Sequence, residues 1–371
     1  MTNDVPPGRI EPRRRLPTAG AGVIAGLLAL VPAAGAGPGP SYDDDRQGVF
    51  LRFLNAPANT RPPRLGLSFG GEVKPVVMDT GSTGIVVSAS RIPNVDALPA
   101  RPGQLTYSSS GRIMIGRWVT TPVTVWGRDG ASVTTGPMPV LAVDHIACTA
   151  GARDCRPETA PTGVAMMGVG FGREADSQSQ STPDTNPLLG VAATGPMRRG
   201  YVVTRDGVHV GLTRANTRGD YRFVKLEPFP DIAGEWRGVP VCIRVNDQSP
   251  ACGRALMDTG VTAMFLTLPP DRVADSVTPD EAGRPALAPG TRLTFSFPGE
   301  VPGQEPAARY AVTAGDPAGL LAPSRIVLNT TRPEPFVNTG LHILNGYDVL
   351  YDADGGYYAF RARDDRWAGG R

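Results

Sequence analysis

Asp79-Thr80-Gly81 and Asp258-Thr259-Gly260 repeat one tripeptide in the two halves of this 371-residue chain. The copies stand 179 residues apart, roughly half its length. Each follows an apolar pair (Val77-Met78, Leu256-Met257) and precedes an apolar run (Ile85-Val86-Val87, Met264-Phe265-Leu266). Glycine lets such a segment turn tightly between buried strands without a Cβ clash. The threonine hydroxyls can bond across to the opposite loop, and the aspartates then point into a shared cleft. Two carboxyls that close cannot both ionise, so they share one proton over a wide pH range. One can deprotonate a water while the other protonates a carbonyl oxygen. That chemistry hydrolyses an amide with neither a metal nor a covalent intermediate.

The elements that must hold these loops are short strands. Gly (46) and Pro (38) are abundant and charged residues make up only 19%, a balance that suits strands and turns better than long helices. β-Branched runs broken by Gly, Pro and Asn recur at 73–78, 84–87, 118–125, 201–204, 208–212, 239–245 and 292–297. Residues 173–186 and 279–290 read as surface loops, and no long helix is evident. The expectation is an all-β, two-lobed chain, with lobes at 48–195 and 196–363 and the boundary near 190–200.

At the start, Arg13-Arg14-Arg15 precedes the apolar run Val23–Val31 and the small residues Ala34-Gly35-Ala36. A charged start, a short apolar stretch and an A-x-A exit predict a secretory leader over 1–36, since a bilayer span needs about 20 apolar residues. The arginine pair hints at twin-arginine export, although the residues after it fit that route poorly. Residues 37–47 read as a flexible mature N-terminus and 364–371 as a tail. Losing four Arg and two acids with the leader leaves the basic and acidic counts equal. A neutral chain gives no reason to expect nucleic acid or a membrane as partner. Lys74 and Lys225 are the only lysines, and the arginines form no stripe in the sequence. Four cysteines allow three connectivities. Proximity favours Cys148 with Cys155 and Cys242 with Cys252, which suits an oxidising compartment. The spacings are wrong for a zinc ribbon and only three histidines are available, so neither metal nor cofactor is expected.

Over nearly all of its mature length the sequence resembles the pepsin-like aspartic proteases, in its bacterial form. Asp79-Thr80-Gly81-Ser82 and Asp258-Thr259-Gly260 resemble the two active-site loops, with Asp79 and Asp258 as the catalytic pair. The segment 105–111 resembles the flap, with Tyr107 as the tyrosine that closes over substrate and Ser108 and Ser109 at the tip. Met166-Met167-Gly168 resembles the segment threaded behind the first aspartate loop, and Gly340 through Asp352 the second-lobe equivalent and final strand. Residues 200–212 look like the strands where the lobes join. Cys242 and Cys252 lie where the family often carries a disulfide. The resemblance implies a monomeric endopeptidase acting on extended polypeptide, with apolar residues flanking the cut.

The departures define the alternatives. Val261 replaces the hydroxyl residue that would match Ser82, and Val86 replaces the tryptophan that bonds the flap tyrosine. The flap tip is a serine run, and Asn338-Thr339 replaces an apolar pair before Gly340. No segment has room for a folded basic prosegment. A missing donor beside Asp258 favours its protonated form, so Asp258 is expected to hold the shared proton and Val261→Thr to move the acid limb of activity downward. The same departures motivate a rival, a peptide-binding protein on this scaffold without turnover. A structural envelope factor is a further alternative. A homodimeric retroviral-type enzyme is disfavoured, because one chain carries both loops.

Overall fold

The computed structural model describes residues 39–43, 47–55, 61–107, 110–152, 155–173, 183–192, 197–281, 283–299 and 305–363. The leader, the tail, Ser108 and Ser109 and most of the 173–186 loop lie outside them. Ala34–Arg371 form one folded unit.

Among the described residues, three large sheets and one two-stranded ribbon make the fold. Strands between Arg64 and Val169 form a ten-stranded sheet, and strands between Val239 and Asn338 a seven-stranded one. A six-stranded sheet joins them, in the order Val49–Arg52, Gly207–Leu212, Arg198–Val203, Tyr347–Asp352, Tyr357–Ala362, Arg222–Lys225. Continuous apolar runs form its centre because central strands are covered on both faces. Tyr347–Asp352 is buried at every position. One apolar core runs through all three sheets, from Leu51 and Val76 to Val241, Phe295 and Phe360. Tyr201 in the joining sheet donates its hydroxyl to the Val169 carbonyl at the end of a first-lobe strand. Phe171 stacks on Tyr351 with ring centroids 4.1 Å apart.

Each large sheet repeats one device. In the first, strand Ala165–Val169 lies between Lys74–Asp79, to which it is parallel, and Thr83–Ser88, to which it is antiparallel. In the second, Phe336–Asn338 lies between Ala251–Leu256, parallel, and Met264–Thr267, antiparallel. Both outer strands of each trio are thereby pinned, and the loop between them is pushed out at the sheet end.

The seven strand runs read from sequence all contain strand, although 118–125 spans the end of Arg112–Thr121 and the start of Thr124–Trp126. Two differences matter. Residues 279–290 are not simply a loop, because Pro285–Leu287 pairs with Val277–Pro279. Met138–Cys148, the longest strand at 11 residues, was not singled out. It pairs in parallel with Thr83–Ser88 and antiparallel with Arg112–Thr121, and so fixes the flap hairpin to the first aspartate loop. Among the described residues there is no α-helix, only short 3₁₀ turns.

Candidate active site

Asp79 ends the strand Lys74–Asp79, and Asp258 follows Ala251–Leu256 by two residues. Both are 6% exposed, too buried for ordinary surface turn acids. The threonines lock the loops reciprocally. Thr80 N–H donates to Thr259 Oγ1 at 3.0 Å, and Thr259 N–H donates to Thr80 Oγ1 at 3.0 Å. The Thr80 hydroxyl donates to the Met257 carbonyl and the Thr259 hydroxyl to the Met78 carbonyl, both at 2.7 Å. Four buried bonds with twofold symmetry leave the loops no freedom to drift apart.

The glycines let the carboxyls meet. A Cβ on Gly81 would lie 2.1 Å from Asp258 Cγ, and one on Gly260 would lie 2.5 Å from Asp79 Cγ. Each glycine therefore faces the opposite carboxyl, and only a residue without Cβ permits that approach. The two carboxyls come within hydrogen-bonding reach of each other.

Both carboxyls accept two donors, but from different places. Asp79 Oδ1 accepts from Gly81 N–H at 2.7 Å, and Oδ2 accepts from the Ser82 hydroxyl at 2.6 Å. Asp258 Oδ1 accepts from Gly260 N–H at 2.8 Å, and Oδ2 accepts from Asn338 Nδ2 at 2.6 Å. Asn338 corrects the expectation that Val261 leaves Asp258 short of a donor. It sits on the strand threaded behind the loop, opposite Leu256 and Phe265. Its Oδ1 accepts from Gly340 N–H at 2.9 Å, which fixes which end of the amide faces Asp258. The signal was present in the sequence as two separate departures, a lost hydroxyl at 261 and a gained amide at 338.

Burial, then the charge of Asp79, pushes the Asp258 carboxyl up to about 8, against the pull of the Asn338 amide and of Arg173. The expected direction stands; its cause is desolvation and a like charge rather than a missing donor.

Tyr107 ends one arm of the flap hairpin, Ala100–Tyr107 paired with Arg112–Thr121. Its hydroxyl is buried without a well-formed hydrogen bond, with Ser82 and Asp79 as polar neighbours, and burial pushes the phenol up. Val86 supplies no partner. It is packed in an apolar cluster with Leu105, Met114 and Trp118, against which Tyr107 rests.

A cleft of ≈ 1210 Å³ opens over the pair, lined by Tyr107, Met114 and Met166 on one side and by Phe265, Val327, Leu328 and Phe336 on the other. That exceeds the ~300–1,000 Å³ of a pocket for a drug-sized ligand, and is open enough for a chain segment. Both disulfides form as expected, Cys148–Cys155 and Cys242–Cys252, the second joining residues directly opposite on paired strands. They fit an extracytoplasmic setting. Among the described residues no three His, Cys, Asp or Glu gather as a metal site, and no helix is long and apolar enough to cross a membrane.

No protein-family model and no curated protein matches the sequence. Among solved structures the chain is similar to an aspartic proteinase from Irpex lacteus, with a TM-score of 0.54 and 15% identity. The likeness covers 87% of this chain and 99% of that one. The fold of this chain is accordingly the all-β, bilobal fold of the pepsin-like aspartic proteinases.

Proposed function

We propose that this chain is an exported aspartic endopeptidase in which Asp79 and Asp258 act as one unit. A single observation carries the reading: two buried carboxyls from equivalent loops, each against the other's glycine, meet under an open cleft. Asp79 takes a proton from a water as its oxygen attacks the peptide carbonyl carbon, and Asp258 gives its proton to the carbonyl oxygen. The resulting diol collapses when a hydroxyl proton returns to a carboxylate and the amine leaves with a proton from the pair. Carboxylic acid and amine are the products. Tyr107 and the hairpin behind it cover the substrate and limit water to the one that reacts.

The apolar lining suits non-polar residues at the cut, and a monomer suffices because both loops belong to one chain. The rival reading, peptide binding without turnover, rested partly on Val261. The Asn338 amide at 2.6 Å removes that support, because the donor is present from another strand. The test is cleavage of an unfolded, disulfide-free protein by the folded chain between pH 3 and 9. Asp79→Ala should lower kcat/KM by at least ~10³-fold with the fold retained. Cleavage that persists in Asp79→Ala would refute the proposal.

A further inference from the structure

Among the described residues, apart from the aspartate pair, every charged side chain lining the cleft is an arginine: Arg112, Arg173, Arg325 and Arg332. Past Arg112, Met114 and Met166, which line both, the cleft continues into a second groove of ≈ 750 Å³. Among the described residues, that groove adds Arg64, Arg91 and Arg156 against a single acid, Glu158. The whole sequence carries 37 basic and 35 acidic residues, so a lining drawn at random would carry both signs.

Many arginines elsewhere are neutralised by ion pairs. Outside the cleft, Arg198 pairs with Asp352, Arg254 with Glu227, and Arg361 with Asp348. Among the described residues, Arg64, Arg91, Arg156, Arg325 and Arg332 pair with no carboxylate. Arg91 has its Nε and Nη1 buried without a hydrogen-bond partner; burial and the like charge of Arg64 disfavour its charge, and Glu72 offsets part of that. Guanidinium nitrogens buried without an acceptor are unfavourable until one meets them. Within a concave, low-dielectric wall the summed field attracts negative groups.

The positions also matter. Arg64, Arg91, Arg112 and Arg156 belong to the first lobe, whereas Arg325 and Arg332 bracket the strand Ile326–Asn329 of the second. An extended chain in this cleft therefore meets apolar surface together with guanidinium groups contributed by both lobes. Guanidinium forks match carboxylates in plane and spacing.

We infer that this protein selects polypeptide segments in which apolar residues are accompanied by Asp or Glu. Only the statement that such segments are cut rests on the endopeptidase reading; their binding does not. The experiment measures fluorescence anisotropy of labelled peptides with one apolar centre and Glu, Gln or Lys flanks, bound to the Asp258→Asn chain, with cleavage by the wild type followed in parallel. Glu flanks should bind at least ~10-fold more tightly than Gln flanks at low salt, Lys flanks most weakly, and the advantage should shrink as ionic strength rises. The exposed pair Arg325→Gln and Arg332→Gln should remove much of the advantage. Arg222→Gln, ion-paired to Glu305 on the edge strand of the joining sheet and outside the cleft lining, should not. Equal binding of Glu and Gln flanks overturns the inference, even if every peptide is cut. Preferential binding of Glu flanks without any cleavage by the wild type sustains it and overturns the endopeptidase reading instead.

Discussion

The first aspartate loop feeds its carboxylate wholly from within, through Gly81 and Ser82, whereas the second keeps the matching Gly260 bond but borrows its other donor, Asn338, from a neighbouring strand. The backbone skeleton is the same in both halves, with matching threonine bonds and a matching threaded strand. What the comparison teaches is that the site specifies a donor at a point in space, not a hydroxyl at a position in the sequence. A hydroxyl on the loop or an amide one strand away satisfies the same carboxylate lone pair.

The largest effect should come from the feature the halves share. Thr80→Val and Thr259→Val each strip a hydroxyl and leave the opposite backbone N–H without its acceptor, at a cost of ~1–3 kcal/mol each. Urea denaturation should return similar losses for the two, and a clear inequality would break the symmetry.

A smaller effect should separate the halves. Asn338→Val removes a donor that favours ionised Asp258, so the basic limb of the pH–rate profile should rise by about one unit. Adding Val261→Thr to Asn338→Val should return most of that shift by moving the donor back onto the loop. No recovery would mean that Asn338 acts through packing rather than donation.

A stability measurement sharpens the same point. Because the folded-state Asp258 carboxyl is raised to about 8, its contribution is full below the unfolded value near 4 and is lost as pH rises towards 8. Asp79→Asn removes the like charge that drives part of this rise. Between pH 4 and 8 the wild type should lose more stability than Asp79→Asn, by ~1 kcal/mol or roughly 2–4 °C in Tm. Parallel melting curves across that range would deny the coupling.

The smallest effect is expected from Val261→Thr alone. With Asn338 already on Asp258 Oδ2, a second donor has little to add, and the activity limbs should move by less than ~0.3 unit.

Much of this was legible in the sequence because it is local. Asp-Thr-Gly, the β-branched runs and the closely spaced cysteines each state their role within a dozen residues. Met138–Cys148 escaped notice because a strand covered on both faces shows a continuous apolar run, Val140–Val143, without the alternation that marks a half-exposed strand. Asn338 was visible as an anomaly, but its purpose depends on a register, Asn338 opposite Leu256, that no local pattern encodes. The cleft arginines are scattered from Arg64 to Arg332 and form no stripe along the chain; only folding gathers them.

The central claim is that two carboxyls work as one device, and kcat/KM for Asp79→Ala, Asp258→Ala and the double variant on one unfolded substrate tests it most directly. Groups that share a proton around one water fail together, so either single substitution should cost nearly as much as both. Losses that simply multiply in the double variant, or one single variant that keeps wild-type turnover, would contradict the account.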